Sequence, residues 1–326
     1  MKLLAWLVYV PLQLLWLPLS LAGAIWVAWK QIGRSRALGL SQTAVEILNG
    51  RWTADVFGVR SDEASRRLAE AIENNSTAGL RLALFPLMVA RRVAGAPFLY
   101  PRLQGDAEMG MMNFVPTKSA RFDDLIDAEA DSAKQFVVLG ASLDTRAYGP
   151  LMDRGLSMFE LDRAPTQRAK RAALRRAGLT ADHVRFIETD FTDPAWPRAL
   201  AASTYDPELR TIFLWEGVTL YLSETDVLAM LSAIRAIAAP GSIVLLDLYG
   251  QRMMNLGRRG LFAKTLEATG ESFGFSLDLS DDGAAALSAF ADAGGYRLGR
   301  FHLLGSAHDH GALLAVAELC VPSAAT

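Results

Sequence analysis

The chain has 326 residues, of which 51% are hydrophobic and 21% are charged, and its formal net charge is −2. This composition fits a folded enzyme with one α/β domain and an appendage, and the near-neutral charge leaves no basic footprint for nucleic acid. The single cysteine, Cys320, excludes an internal disulfide and a cysteine-based zinc site.

The first predicted element is a long helix, because no charged residue occurs between Leu3 and Trp29. At about 1.5 Å per residue this run would extend roughly 40 Å, which exceeds a bilayer core of about 30 Å. It predicts a tilted or proline-kinked helix that crosses the membrane once, with a cleaved signal peptide as the alternative. Lys30, Arg34 and Arg36 follow the run and place the catalytic part in the cytoplasm under the positive-inside rule.

The pattern then changes twice, which divides the chain into three predicted segments. Residues 1–34 form the membrane anchor helix, residues 35–131 a helical lid or substrate region, and residues 132–326 a Rossmann-like domain. The second segment contains an apolar run from Leu80 to Val93. This run predicts a core or lid helix, and the alternative is a second helix in contact with the membrane.

From Gln135 onward, short apolar runs alternate with helical stretches, which predicts a doubly wound α/β fold with a mostly parallel sheet. The seven predicted strands are Phe136–Leu139, Met158–Leu161, Arg185–Glu188, Thr211–Trp215, Ser242–Leu248, Arg297–Leu303 and Leu313–Glu318. The main predicted helices between them are Pro165–Ala177, Glu224–Ala238 and Gly283–Ala293. In such sheets, ligands bind at the carboxyl ends of the strands.

The end of the first predicted strand carries the strongest functional signal. Four apolar residues lead into Gly140, Ala141 and Ser142, a turn that lets backbone N–H groups approach a ligand. Asp162 follows the next predicted strand, after the interval of about 20 residues that is typical of a nucleoside-binding βαβ unit. In such units this acid holds the ribose hydroxyls.

The same loop lacks the features that bind phosphate. A pyrophosphate-binding loop has three glycines, but Ser142 and Thr145 occupy the second and third of these positions. Asp144 would repel phosphate, whereas it can meet an ammonium group or cap a helix. The loop therefore suits a nucleoside without phosphates, of which S-adenosylmethionine is the common one.

Four motifs occur in a fixed order along this region. They are Leu139-Gly140-Ala141-x-Leu143-Asp144-Thr145-Arg146, Glu160-Leu161-Asp162-x-x-Pro165, Thr189-Asp190-Phe191-x-Asp193 and Trp215-Glu216-Gly217-Val218-x-Leu220-Tyr221-Leu222. Together they resemble the leucine carboxyl methyltransferase family of S-adenosylmethionine-dependent O-methyltransferases, and the resemblance extends from about Ser41 to about Ala317. It implies a class I methyltransferase fold. There are two departures from the family pattern: Ser142 replaces a glycine, and Lys118-Ser119 replaces an Arg-Thr pair.

Acidic residues at the strand ends are the candidate contacts of the nucleoside. Asp162 is predicted to accept both ribose hydroxyls, with a helix N-cap as its other role and Glu160 as the alternative acid. Asp190 is predicted to reach the adenine amine, with Phe191 on the base. The competing role for Asp190 is to form a turn.

Glu216 follows a strand that is too apolar to be exposed, so its carboxylate needs a buried partner. The ammonium or sulfonium of the cofactor would supply one, and a structural salt bridge is the alternative. The resemblance implies that Glu216 lies beside the methionine part and that Tyr221 lies near the substrate mouth. It also implies that Lys118 meets the cofactor carboxylate, with Arg146 and Arg121 as further candidates.

The methyl acceptor decides whether a base is needed. A carboxylate acceptor needs none, whereas a phenol or alcohol needs a base or a positioned hydrogen-bond acceptor. His308, next to Asp309 and His310, is the candidate base, although a solvated turn is the simpler interpretation. His-x-His without a companion acid or cysteine cluster predicts no metal site.

The sequence thus predicts a membrane-anchored O-methyltransferase that acts on a carboxylate or hydroxyl of a hydrophobic small molecule, such as a polyketide or lipid acid. Its expected partners are this small molecule and the membrane, through residues 3–29, without nucleic acid. One alternative is a nicotinamide-dependent dehydrogenase, which the short glycine loop and the absence of a Tyr-x-x-x-Lys pair oppose. The other is a membrane-tethered binding protein without activity, which the departures at Ser142 and Lys118 keep open.

Overall fold

The computed structural model describes residues 2–38, 40–257, 274–307 and 311–323. Seven strands form one sheet in this part of the chain. They are β1 (Gln135–Leu139), β2 (Ser157–Asp162), β3 (Val184–Glu188), β4 (Thr211–Trp215), β5 (Ile243–Tyr249), β6 (Arg297–Leu304) and β7 (Leu314–Cys320). All seven strands predicted from the sequence are confirmed, with ends shifted by at most two residues.

The strand order is β3-β2-β1-β4-β5-β7-β6. Neighbouring strands from β3 to β5 pair in parallel, and β7 pairs antiparallel to both β5 and β6. The sheet is therefore the mostly parallel, doubly wound sheet that the sequence predicts. The chain order reverses at β1, which lies between β2 and β4, and the crevice at such a reversal is where open α/β sheets bind ligands.

Ten α-helices surround the sheet in the described residues. They are α1 (Lys2–Leu38), α2 (Gln42–Val56), α3 (Glu63–Ala71), α4 (Thr77–Ala94), α5 (Phe114–Ala130), α6 (Ala164–Ala177), α7 (Trp196–Ala201), α8 (Glu224–Ile237), α9 (Gln251–Gly257) and α10 (Gly283–Ala293).

Alternate side chains of the buried strands supply two hydrophobic cores, one on each face of the sheet. On one face, Val138 packs in a cluster with apolar side chains of α2, α3, α5 and α6. On the other face, Val137 packs in a cluster with side chains of α7, α8 and α10. The sheet is thus covered on both faces, which leaves its carboxyl edge for a ligand.

Helix α1 contains the whole uncharged run, with Pro11 and Pro18 inside it. From Leu3 to Ser35 it is long and apolar enough to cross a membrane, and only 6% of its most apolar 18-residue stretch is buried. Length and composition alone would also fit a signal sequence. One stripe of α1 packs against α4: a methyl group added at Gly23 would lie 2.6 Å from the carbonyl oxygen of Gly79.

Candidate functional site

A cavity of about 680 Å³ opens at the carboxyl ends of β1, β2 and β4. Its size lies within the range of about 300–1,000 Å³ that is typical of small-molecule sites. Side chains of α2 and α4 and the segment that leads into α5 form the rest of its wall. The cavity therefore lies between the sheet edge and the helical segment that precedes the sheet.

Most of the candidate residues predicted from the sequence meet at this cavity. Those that line it are Lys118, Gly140, Ala141, Ser142, Asp144, Asp162, Glu216 and Tyr221. Asp190 and Phe191 do not line it. His308, like Asp309 and His310, lies outside the described residues.

The turn after β1 is held by the end of β2. The backbone N–H groups of Gly140 and Ala141 donate to the carbonyl oxygen of Leu161, at 2.9 and 3.0 Å. Gly140 has a φ of +69°, and Ser142 has a φ of +32°. Residues other than glycine rarely adopt a positive φ. The Ser142 N–H donates to Asp162 Oδ2 at 2.7 Å. Asp162 thus fixes the loop and also faces the cavity.

Glu216 forms salt bridges with two buried cations. Its Oε1 lies 3.1 Å from Lys118 Nζ, and its Oε2 lies 2.8 Å from Arg146 Nη1. Burial alone would raise the pKa of the Glu216 carboxyl, but Lys118, Arg146 and Arg51 outweigh burial and lower this pKa to about 2. Glu216 is therefore ionised on the cavity wall, and the salt-bridge alternative is present in the structure.

Lys118 is fully buried and has a second carboxylate partner that the sequence analysis missed. Its Nζ lies 2.7 Å from Asp247 Oδ2, and Tyr249 donates its hydroxyl to the same oxygen at 3.1 Å. Burial would lower the pKa of Lys118, but Asp247, Tyr249 and Glu216 together hold it well above its usual value. A lone acid in an otherwise apolar strand was the sequence signal for Asp247, since such a residue needs a buried partner.

A second missed residue is Arg51, which α2 brings to the cavity wall. Its Nη1 lies 3.5 Å from Asp144 Oδ2, and its Nε donates to Asp62 Oδ2 at 2.8 Å. Asp144 is also paired with Arg146. The side chain of Arg51 is only 5% exposed, so its positive charge lies at the cavity wall with Asp62 and Asp144 as its carboxylate neighbours. The sequence signal was a single basic residue between Arg36 and Arg60, in a predicted helical region.

Tyr221 lies where α2 meets the loop after β4. Its hydroxyl is 2.9 Å from Thr43 Oγ1, which is 2.6 Å from Ser41 Oγ. All three residues line the cavity, so a chain of hydroxyl groups runs along part of its wall. On the rim, Met111 and Met112 are 51% and 58% exposed. The cavity is thus open to its surroundings beside apolar side chains.

The remaining predicted residues have other contacts. Asp190 Oδ1 accepts hydrogen bonds from the N–H and hydroxyl of Thr192, which lower the pKa of Asp190. This is the turn-forming role weighed for Asp190 as the alternative to adenine binding. Phe191 packs edge-on against Trp196 at 5.4 Å. Glu160 is buried and pairs with Lys170 at 2.7 Å, away from the cavity. In the described ranges, no group of three or more His, Cys, Asp or Glu residues could hold a metal ion.

Comparison with known proteins gives one family match, to leucine carboxyl methyltransferase, over residues 58–235. A relative from Mycolicibacterium smegmatis, named as an inferred S-adenosyl-L-methionine-dependent methyltransferase, is 33% identical over 147 residues, which cover 44% of this chain and 49% of the relative. A protein of the same name from Streptomyces avermitilis is 35% identical over 144 residues, with coverage of 44% and 48%. The chain spans about half the length of the curated relatives it matches.

Among solved structures, magnesium protoporphyrin IX methyltransferase from Synechocystis PCC 6803, determined with bound SAH, is 11% identical to this chain. The alignment covers 67% of this chain and 90% of that chain, with a TM-score of 0.41.

Proposed function

Since the chain belongs to the leucine carboxyl methyltransferase family, we propose that it binds S-adenosyl-L-methionine in its cavity and methylates an oxygen of a hydrophobic small molecule. The matched region is a methyltransferase domain of the S-adenosyl-L-methionine-dependent type. The observation that carries the proposal is the meeting of the Gly140–Ser142 turn, Asp162 and Glu216 at one cavity, on the carboxyl edge of the sheet.

The charged groups of the cavity wall fit this cofactor. S-adenosyl-L-methionine carries a sulfonium, an ammonium, a carboxylate and a ribose diol. Asp144 and Glu216 supply negative charge for the two cations, and Asp162 offers carboxylate oxygens to the diol. Arg51 and Lys118 supply positive charge for the carboxylate. The Ser142 hydroxyl is buried without a hydrogen-bond partner in the described part of the chain, so it too can bind a polar group of the ligand.

The bound cofactor supplies an activated methyl group, so the protein mainly has to hold the acceptor oxygen in line with it. No histidine or cysteine lines the cavity among the described residues. This favours a carboxylate acceptor, which needs no base to remove a proton. For a hydroxyl acceptor, we propose that the Tyr221 hydroxyl positions the acceptor oxygen. Thr43, whose Oγ1 lies 2.9 Å from the Tyr221 hydroxyl, would hold Tyr221 in place, and His308 remains a predicted base.

The acceptor is proposed to be hydrophobic because much of the cavity wall is apolar. Its apolar side chains include Ile47, Leu80, Leu84, Met112, Phe114 and Met253. Such a wall gains free energy by removing apolar substrate surface from water, at about 25 cal/mol per Å². A polyketide-like or lipid-like acid matches both the apolar wall and the need for an oxygen acceptor.

The three segments predicted from the sequence become part of the proposal. Residues 132–326 form the cofactor domain, and residues 35–131 form the lid and substrate region, as suggested by the side chains that α2 and α4 place on the cavity wall. Residues 1–34 anchor the protein to the membrane, with the catalytic part on the cytoplasmic side. The exposed apolar surface of α1 supports this assignment.

Isothermal titration of the full chain in detergent with S-adenosylhomocysteine and with NAD tests the proposal. We expect binding of S-adenosylhomocysteine and no binding of NAD. As a control, the Asp190→Asn variant changes a carboxylate that does not line the cavity, and it should bind S-adenosylhomocysteine as the wild type does. Binding of NAD without a response to S-adenosylhomocysteine would overturn the proposal.

A further inference from the structure

Helices α1 (Lys2–Leu38) and α4 (Thr77–Ala94) pack against each other antiparallel, although α2 and α3 lie between them in the chain, and we call this pair the α1–α4 hairpin. Successive contacts run towards the N-terminus of α1 and towards the C-terminus of α4. From the C-terminal to the N-terminal part of α1 they are Lys30 Nζ to Asn75 O at 2.6 Å, Gly23 against Gly79, Trp16 Nε1 to Leu82 O at 3.1 Å, and the Trp16 and Phe85 rings, which are tilted with their centres 4.5 Å apart. At Gly23 and Gly79 the two helix backbones approach closely, so α1 packs tightly against α4.

The other face of α4 belongs to the folded domain. Leu80 and Leu84 line the cavity. Arg81 donates to Glu70 of α3 at 2.7 Å, and its guanidinium lies 5.6 Å from the centre of the Trp52 ring. The hairpin therefore cannot move into a membrane by itself, because α2 and α3 are attached to it.

These contacts argue against a helix that crosses the bilayer. Trp16 is the middle residue of the uncharged run from Leu3 to Trp29, and it contacts Leu82, the neighbour of Arg81. A crossing α1 would carry Arg81, its partner Glu70 and the charged helix α3 to the centre of the hydrocarbon. Burying charged groups there is costly, so the crossing conflicts with the way the domain is attached.

A helix that lies along the membrane surface has no such conflict. The side of α1 that faces away from α4 carries large apolar side chains that are at least 63% exposed, namely Leu3, Leu7, Leu14, Leu15, Ile25 and Trp29. The described part of this side has no charge before Lys30. Arg92 is exposed near the C-terminal end of α4, where it can meet anionic headgroups, whereas the exposed Arg34 lies 4.0 Å from Glu73.

Aromatic side chains link the N-terminal part of α1 to the segment that leads to the cavity wall. Near the N-terminus of α1, Trp6 and Tyr9 pack edge-on against Phe98, at 5.3 and 5.7 Å. Two residues later Tyr100 lines the cavity, whose exposed rim includes Met112. Aromatic side chains of this kind favour the interface between lipid and water.

We propose that the α1–α4 hairpin lies in the plane of a phospholipid membrane, as a one-sided anchor, instead of crossing it. The methionine rim of the cavity, Met111 and Met112, then faces the same lipid interface, and acceptor molecules reach the cavity from the lipid. The statement about acceptors rests on the proposed function, whereas the position of the hairpin does not.

Single-cysteine variants in a Cys320→Ser background test the position of the hairpin. We would place the full chain in sealed vesicles of phosphatidylcholine and phosphatidylglycerol and label Lys2→Cys, Leu15→Cys, Met112→Cys and the control Lys134→Cys. Lys2 is the first residue of α1, and Lys134 is exposed on the domain. In protein bound to the outer leaflet, an impermeant maleimide should label Lys2→Cys and Lys134→Cys from the same side. It should label Leu15→Cys only after detergent is added.

A second measurement on the same variants reports depth. Bimane attached at Leu15→Cys should be quenched strongly by brominated lipid, bimane at Met112→Cys partly, and bimane at Lys134→Cys not at all. Labelling of Lys2→Cys only from the opposite side would show a crossing helix and overturn the proposal. Full labelling of Leu15→Cys without detergent, or no quenching at Met112→Cys, would overturn it as well. None of these readouts requires methyl transfer, so failure here is distinct from failure of the proposed function.

Discussion

The ammonium of Lys118 lies 2.7 Å from Asp247 Oδ2, and neither side chain has any solvent exposure. The two residues lie 129 positions apart, on α5 and β5, so this ion pair joins the helical segment to the sheet. Asp247 Oδ1 also accepts the N–H of Gly217 at 2.8 Å, directly after Glu216. The pair therefore holds the loop after β4 that carries the candidate site.

Replacing Asp247 should destabilise the whole fold. Asp247→Asn leaves the buried ammonium of Lys118 with only Glu216 as a charged partner, and breaking a buried pair costs about 3–5 kcal/mol. The free energy of unfolding, measured with urea, should fall by an amount in this range. Asp281→Asn, at an exposed carboxylate, is the control and should leave it unchanged. A small effect at Asp247 would mean that the buried cation finds compensation elsewhere.

Asp162→Ala should weaken the binding of S-adenosylhomocysteine. The change removes charge-assisted hydrogen bonds worth about 1.5–3 kcal/mol each, which corresponds to at least about tenfold in affinity. It also removes the acceptor of the Ser142 N–H, so the loop loses its support. Titration calorimetry measures the effect, with Asp190→Asn as the reference variant. Equal affinity in wild type and a folded Asp162→Ala protein would remove Asp162 from the site.

Glu216 should make stability depend on pH in the acid range. Its pKa is lowered to about 2 in the folded chain from its ordinary value of 4.5, so the folded state favours the ionised form. The resulting stabilisation is fully present above about pH 5 and is lost as the pH falls towards 2. Urea unfolding of wild type and Glu216→Gln from pH 3 to 7 should therefore show a difference that shrinks below about pH 4.5. A difference that stays constant over this range would contradict the low pKa.

Two glycines of α1 provide a matched pair of variants for the hairpin. A side chain at Gly23 would collide with the backbone of α4, whereas nothing lies within 4 Å of a methyl group added at Gly33. Gly23→Leu should destabilise the protein by about 1–3 kcal/mol through overpacking and increase protease cleavage of α1. Gly33→Leu should do neither. Similar cleavage of both variants would show that α1 is not held against α4.

The sheet could be predicted because its signals are local. Runs of four or more apolar residues mark β1, β4, β5 and β7, and the turn at Gly140 follows from one glycine and two small residues. Asp162 and Glu216 follow from their places at the ends of predicted strands. Those residues lie at the cavity because the carboxyl ends of parallel strands meet at one edge.

The partners of these residues could not be predicted, because they depend on contacts between distant parts of the chain. Asp247 and Arg51 were missed since no spacing rule links them to Lys118 or Asp144. Asp190 does not line the cavity, and its carboxylate accepts hydrogen bonds from Thr192, which is the turn that the sequence offered as its other role. The apolar run in α1 was identified, yet its packing against Gly79 depends on a helix more than 50 residues away.

Hydrogen–deuterium exchange of the full chain with and without S-adenosylhomocysteine tests the central claim most directly, because it locates the ligand. If the cavity is the cofactor site, peptides covering residues 139–146, 160–163 and 214–221 should exchange more slowly when the ligand is present. The turn after β3, which contains Asp190 and Phe191, should change less. Slower exchange confined to other regions, or no change in these three segments at saturating ligand, would contradict the account.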